Sequence, residues 1–333
     1  MSKTKFYKFE GKEVAPGESA SFQLSLAKLY DFTNLDLPIR VMRGKTKGPR
    51  LFISAAIHGD EIVGTEIIRR LLVRPELKEI KGMLIAAPIV NIFGFNNKSR
   101  YLPDRRDLNR SFPGKKNGPL AAQLANLFMK EIVAKCTHGI DLHSGGRDRK
   151  NLPQIRAFID DPETKRLALA FGTPVVIHSK VRDGSLREAA RKKKIPMLLF
   201  EGGEALRIDE KTVKMGVQGC LSVMRSIGMI KGKKTRNKTH IAKGSSWIRA
   251  PHSGTVNSMK RLGTTVRKGQ TIATISDPLG SEKIKVIAPR NGIIIGKTEL
   301  PLVNKGDAMF HIATSEALKI EKSPLFDTVI GTL

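Results

Sequence analysis

From about residue 36 to residue 228, short apolar runs alternate with longer stretches whose apolar residues recur at three- and four-residue spacing, and this alternation constrains the chain more than any other feature. Short buried strands joined by one-sided helices fold as an α/β layer structure, because each helix must cover a sheet face. The runs predict strands at 39–42, 51–57, 83–89, 139–142, 155–159, 175–177 and 197–200. The amphipathic stretches predict helices at 61–73, 120–135, 162–171, 185–193 and 211–226. The expected fold class is α/β, with a mixed, mostly parallel central sheet and helices on both faces. In such sheets functional groups gather at the carboxyl ends of the strands.

After Gly228 the texture changes. A Lys- and Gly-rich segment, 231–245, reads as a linker, and beyond it Ala250-Pro251-His252-Ser253-Gly254 is echoed by Ala288-Pro289-Arg290-Asn291-Gly292. Each copy leads into a β-type run, which predicts a small all-β barrel or sandwich. A chain of 333 residues exceeds what one core usually organises. The expected organisation is an N-terminal extension (1–35) packed on an α/β domain (36–230), the linker (231–245) and an all-β domain (246–333). The last resembles biotin- and lipoyl-carrier domains through Val266, Gly269 and Ile272. Its central hairpin, Ser276-Asp277-Pro278-Leu279-Gly280, lacks an attachment lysine, so no swinging arm is expected.

No apolar stretch approaches the roughly 18 residues that cross a bilayer, and no apolar segment follows the charged N-terminus as in a secretory signal. Cys136 and Cys220 form neither a disulfide framework nor a paired metal site. A cytoplasmic protein without membrane contact is the expectation. Lys and Arg number 59 against 31 Asp and Glu, a net charge of +28 that attracts anions. The basic residues are spread along the chain, and one Trp and three Tyr offer few aromatic platforms for bases to stack on, so specific nucleic-acid binding is not expected. A homo-oligomer remains open.

Four segments carry side chains with chemistry. His58-Gly59-Asp60-Glu61 follows the apolar run 51–57 and opens a helix, so an imidazole and a carboxylate three residues apart can face one point and suit a metal such as Zn²⁺. Asp60 is the alternative carboxylate. Ile140-Asp141-Leu142-His143 places a second histidine at a strand exit, with Asp141 on the same strand face to orient it. Each motif alone is equally compatible with a structural strand-end histidine. Between them, 100–114 is dense in Arg, whose planar fork suits a carboxylate ligand, although Asp-Arg pairs in loops are often only ion pairs. Finally, Leu198-Leu199-Phe200-Glu201 delivers a carboxylate to a strand end, a place for a general base, with Glu204 as the alternative. Arg182 and Arg187 are further candidate contacts by position.

Together the four segments resemble the succinylglutamate desuccinylase/aspartoacylase family of the zinc carboxypeptidase-like clan, over about residues 36 to 228. The resemblance implies one Zn²⁺ per chain, held by His58, Glu61 and His143, with Glu201 activating water and Arg100 facing the scissile carbonyl. It also implies Asn109 and Arg110 as holders of the substrate carboxylate. The implied reaction is hydrolysis of the amide bond of a small anionic N-acyl amino acid. A carboxypeptidase acting on peptide ends, or a non-catalytic anion-binding protein, are the alternatives. No tyrosine follows Tyr101, so a substrate-contacting tyrosine from the second domain is missing.

Overall fold

The structure is a computed structural model that describes residues 7–9, 11–180, 182–233, 238–257 and 259–314. The expected linker's residues 234–237, the start of the N-terminal extension (1–6) and the end of the all-β segment (315–333) lie outside these. A small hairpin, β1 (Tyr7–Phe9) and β2 (Lys12–Val14), precedes the main sheet. In chain order there follow β3 (Ser19–Lys28), β4 (Asn34–Arg43), β5 (Arg50–Ala55), α1 (Val63–Leu72), β6 (Met83–Ala87), α2 (Ile92–Asn96) and α3 (Leu120–Glu131). Next come β7 (His138–Gly145), β8 (Arg149–Ala157), α4 (Pro162–Phe171), β9 (Val175–His178), α5 (Leu186–Lys192), β10 (Met197–Glu204) and α6 (Glu210–Ser226). The C-terminal strands are β11 (His240–Ala242), β12 (Gly244–Arg249), β13 (Gly254–Asn257), β14 (Thr265–Val266), β15 (Thr271–Ser276), β16 (Lys283–Ile287), β17 (Gly292–Thr298), β18 (Leu302–Val303) and β19 (Ala308–Thr314). No helix among the described residues is long and apolar enough to cross a membrane.

The fold is the mixed, mostly parallel α/β architecture expected. Its centre is the parallel set β6-β5-β7-β10, with antiparallel β8 beyond β10 and antiparallel β4 and β3 beyond β6. Alternate residues of one strand serve opposite faces, as the two-residue period requires. Phe52 joins the core under α3 and α5, while Leu51 and Ile53 join the core under α1, α4 and α6. Residues 19–28, expected in an extension, form the edge strand β3. Only alternate positions there are buried, so the segment carries no apolar run.

β8 begins at Arg149, six residues before the predicted start at 155; its first three residues are polar and hide the strand from apolar periodicity, and Arg149 and Asn151 line a cleft. It takes three partners: β10 along one edge, and along the other β9 near its end and β17 near its start. The C-terminal strands β12, β19 and β17 are thereby hydrogen-bonded into the main sheet. β11 lies inside the stretch expected as linker and adds in parallel to β9. A second, four-stranded sheet, β16-β15-β13-β18, encloses with β12, β17 and β19 a core of Ile272, Ile275, Ile294, Phe310 and Ile312.

Where β5 and β7 pair, Phe52 faces Gly139, and a Cβ on Gly139 would meet the Phe52 ring at 2.2 Å. The ring cannot retreat, since it is fully buried and meets Phe128 edge-on at 6.2 Å. Gly139→Ala is expected to lose about 1–3 kcal/mol from overpacking, read as a lower urea midpoint at unchanged slope.

Candidate metal centre and cleft

Parallel strands β5, β7 and β10 end at one edge of the sheet, and their register puts Glu201 directly beside His143. After β5 the chain turns through Ala56 in a left-handed conformation (φ 51°) and reaches His58. Gly59 rests on α2 so closely that a Cβ would fall 1.9 Å from the Gly94 carbonyl carbon, which fixes the turn from His58 to Glu61. His58, Glu61 and His143 are all buried, and one ligand atom from each lies within 4.8 Å of the others.

Both histidines use their ring nitrogens in the same way. His143 Nε2 meets Asp141 Oδ2 at 2.7 Å, and Asp141 is itself held by the Ser54 hydroxyl at 2.8 Å. Its Nδ1 faces Glu61 Oε2 at 2.7 Å. His58 Nε2 meets Asp107 Oδ1 at 3.1 Å, while its Nδ1 faces Glu61 Oε1 at 2.8 Å. A neutral imidazole that donates from Nε2 has only a lone pair at Nδ1, and here that lone pair would oppose the lone pairs of a carboxylate. Either a proton on each Nδ1 or a cation shared by the three groups resolves that opposition. Burial lowers the affinity of His143 for a proton, but Asp141 and Glu61 outweigh burial and raise its pKa well above the ordinary imidazole value. Burial would raise the Glu61 carboxyl, yet the two imidazoles hold it below the carboxylate range. Two nitrogens and an oxygen, each histidine steadied by an outer carboxylate, are a donor set that could hold a divalent ion.

Asp107, which the sequence did not single out, ties the loop to this centre. Besides His58 it accepts from Arg100 Nη2 at 3.0 Å, and Arg100 Nη1 reaches Glu61 Oε1 at 3.2 Å. Burial raises its carboxyl pKa, but His58 and Arg100 outweigh that and lower it. Asp60 is buried nearby without joining the donor set.

The centre opens into a cleft of about 280 Å³ that is also lined by Arg100, Asn109, Arg110, Arg182, Arg187 and Glu201. Every predicted site residue therefore borders one space, whereas Glu204 does not line it. Asn109 Oδ1 accepts the Leu186 N–H at 3.0 Å, which leaves its NH₂ as the end able to donate into the cleft. Arg187 is buried, donates only to Ser179 and makes no ion pair among the described residues; burial first, then Arg156, pushes its pKa down to about 10. Lining residues not foreseen are Arg149, Asn151, Arg156, Lys180 and Trp247. Seven cationic side chains (Arg100, Arg110, Arg149, Arg156, Lys180, Arg182 and Arg187) thus surround the carboxylates of Glu61 and Glu201. Arg156 Nη1 lies 3.8 Å from Glu201 Oε1, and Asn151 Nδ2 donates to Glu201 Oε2 at 2.8 Å.

Trp247 comes from β12 and stacks on His311 of β19 at 4.5 Å and 7°, with the Arg149 guanidinium 5.5 Å from its ring. The C-terminal strands supply an aromatic wall, though a tryptophan rather than a tyrosine.

An α/β sheet bearing two histidines and a glutamate at its carboxyl edge, below a cationic cleft, is the build of a carboxypeptidase-like protein with a candidate metal centre. The chain belongs to the succinylglutamate desuccinylase/aspartoacylase family, whose catalytic-domain profile matches residues 47–227. It is 28% identical over 293 residues to the N-alpha-acetyl-L-2,4-diaminobutyric acid deacetylase of Halomonas elongata, covering 83% of this chain and 85% of the relative. Among solved structures, the product-bound ectoine utilization protein EutE of Ruegeria pomeroyi aligns with a TM-score of 0.81 at 22% identity, over 89% of this chain and 95% of that one. A succinylglutamate desuccinylase/aspartoacylase from Rhodobacter sphaeroides aligns at 0.78 and 23%, over 88% and 95%. These structures share the fold over most of this chain.

Burial, then the charge of Arg156, pushes the His311 imidazole down to about 3. As pH falls below about 6.5, the unfolded chain takes up a proton at this histidine that the folded chain refuses, so stability is lost with falling pH. His311→Gln is expected to lose less stability than the wild type between pH 7 and pH 4.5, compared through urea midpoints at the two pH values.

Proposed function

We propose that the protein is a zinc-dependent hydrolase that cleaves the amide bond of a small N-acyl amino acid, with one Zn²⁺ per chain held by His58, Glu61 and His143. The observation that carries this reading is the opening of the buried His-Glu-His centre into the same cleft as Glu201 and the buried Arg187, which makes no ion pair among the described residues. When bound, zinc supplies Lewis acidity, lowering the pKa of water from about 15.7 towards roughly 7 and polarising a carbonyl.

The chain's own groups do the rest. Asn151 occupies Glu201 Oε2, so Oε1 is the oxygen that takes a proton from the attacking water and returns it to the departing amine. Arg100 is anchored through two of its five N–H groups and turns the remainder towards the developing oxyanion. The Asn109 NH₂, Arg110 and Arg187 hold the substrate carboxylate and so align its amide bond. The Halomonas relative is named for an acetylated diaminobutyrate. Seven cationic side chains here disfavour a positive charge on the substrate's side chain, so N-acyl amino acids with neutral or acidic side chains are preferred. We place the reaction in the cytoplasm, in keeping with two free, buried thiols. In this reading residues 36–230 form the hydrolase domain and the all-β segment from 246 walls the mouth.

A panel of N-acyl amino acids, run beside C-terminally labelled peptides, tests the activity. Glu201→Gln is expected to lower kcat/KM by about 10²–10⁴-fold with zinc content unchanged. Equal turnover by this variant and the wild type would defeat the reading. Asp141→Asn removes the outer partner of His143 and is expected to weaken zinc retention by roughly 10–100-fold, measured by competition with a chromogenic chelator.

A further inference from the structure

The second domain touches the chemistry at a point more intimate than the aromatic wall. Glu201 sits where the pairing of β10 with β8 slips: Glu201 is opposite Gln154, but Gly203 is opposite Asn151. A glutamate at such an irregularity, facing a cleft, has rotamers to choose from unless something holds it. Asn151 does so, being buried and donating from Nδ2 to Oε2 at 2.8 Å. An ionised carboxylate only accepts, so the asparagine must present its NH₂ to Glu201 and turn Oδ1 the other way.

On that other side lies Gly296 of β17, the strand partner of Asn151. A Cβ at position 296 would fall 2.8 Å from Asn151 Oδ1 and 3.2 Å from the His311 Cβ. The absence of a side chain there is what lets the amide lie between the two strands. Gly296 φ is not in the left-handed region, so space rather than backbone conformation requires the glycine.

Resting on the assignment of Glu201 as general base, we propose that Asn151 is the positioning residue of that base, and that β17 of the C-terminal module sets its amide through Gly296. The module is then part of the proton-transfer apparatus without supplying a group that touches substrate.

The test uses the full-length, zinc-loaded protein and whichever N-acyl amino acid it hydrolyses, with Glu201→Gln as reference. Asn151→Leu keeps the branched shape, is somewhat larger and removes the donor, while Gly296→Ala changes no side chain that lines the cleft and crowds the amide. Both are expected to lower kcat by roughly 10–100-fold, the scale of a misplacement of about 1 Å, with KM and zinc content within about twofold of wild type. A residue that only fills space predicts wild-type kcat for folded Asn151→Leu, and that result overturns the assignment of Asn151, as does a loss seen in KM alone. If Asn151→Leu loses kcat while folded Gly296→Ala keeps it, the part given to the C-terminal module is overturned. Should Glu201→Gln itself turn over normally, the general-base reading fails first, and the two failures are told apart by that control.

Discussion

Glu61 stands between two imidazoles, each presenting Nδ1 to one of its oxygens, and the rest of the site is arranged around that electrostatic fact. Three groups with lone pairs turned inward are stable in a dry environment only with positive charge among them. Asp141 and Asp107 complete the arrangement from outside by fixing which nitrogen of each ring points inward. The fold meets the cost of this buried polarity with its central strands, whose apolar residues pack on both faces.

The histidines belong to different strand ends, and the parallel register converts that separation into proximity. His143 and Glu201 are strand partners, and Leu142 pairs with Ala55 at the end of the strand that leads to His58. Cationic side chains arriving from the loop, from β8 and from α5 then make the space beside them a trap for negative charge.

Much of this was legible in sequence, because the central strands are continuously apolar and their ends are marked by His, Asp, Glu and Gly. His58, Glu61, His143 and Glu201 follow such runs, whereas Asn109 and Arg110 were implied by the family resemblance and Arg187, on α5, was named by position alone. Asn151 escaped because β8 opens with three polar residues, Arg149 to Asn151, so the predicted strand starts only at Ile155, and nothing in the spacing marks Arg156, inside that predicted strand, as facing the cleft. Asp107 was hidden among other charges in an Arg-rich loop, where no spacing separates a ligand-orienting carboxylate from a surface ion pair. Trp247 could not be placed, since which face of a C-terminal strand meets the cleft depends on the pairing of β17 with β8. A short parallel strand such as β11 has too few residues to stand out from Gly- and Lys-rich surroundings.

The ladder between β17 and β8 has a mechanical consequence. A wall hydrogen-bonded into the floor cannot swing aside like a cap on a hinge, because any rotation would first have to unzip main-chain bonds of β8, the strand beside Glu201. The rim and the floor of the cleft are accordingly one continuous piece of sheet, so its width is set by strand register rather than by the packing of a separate cap.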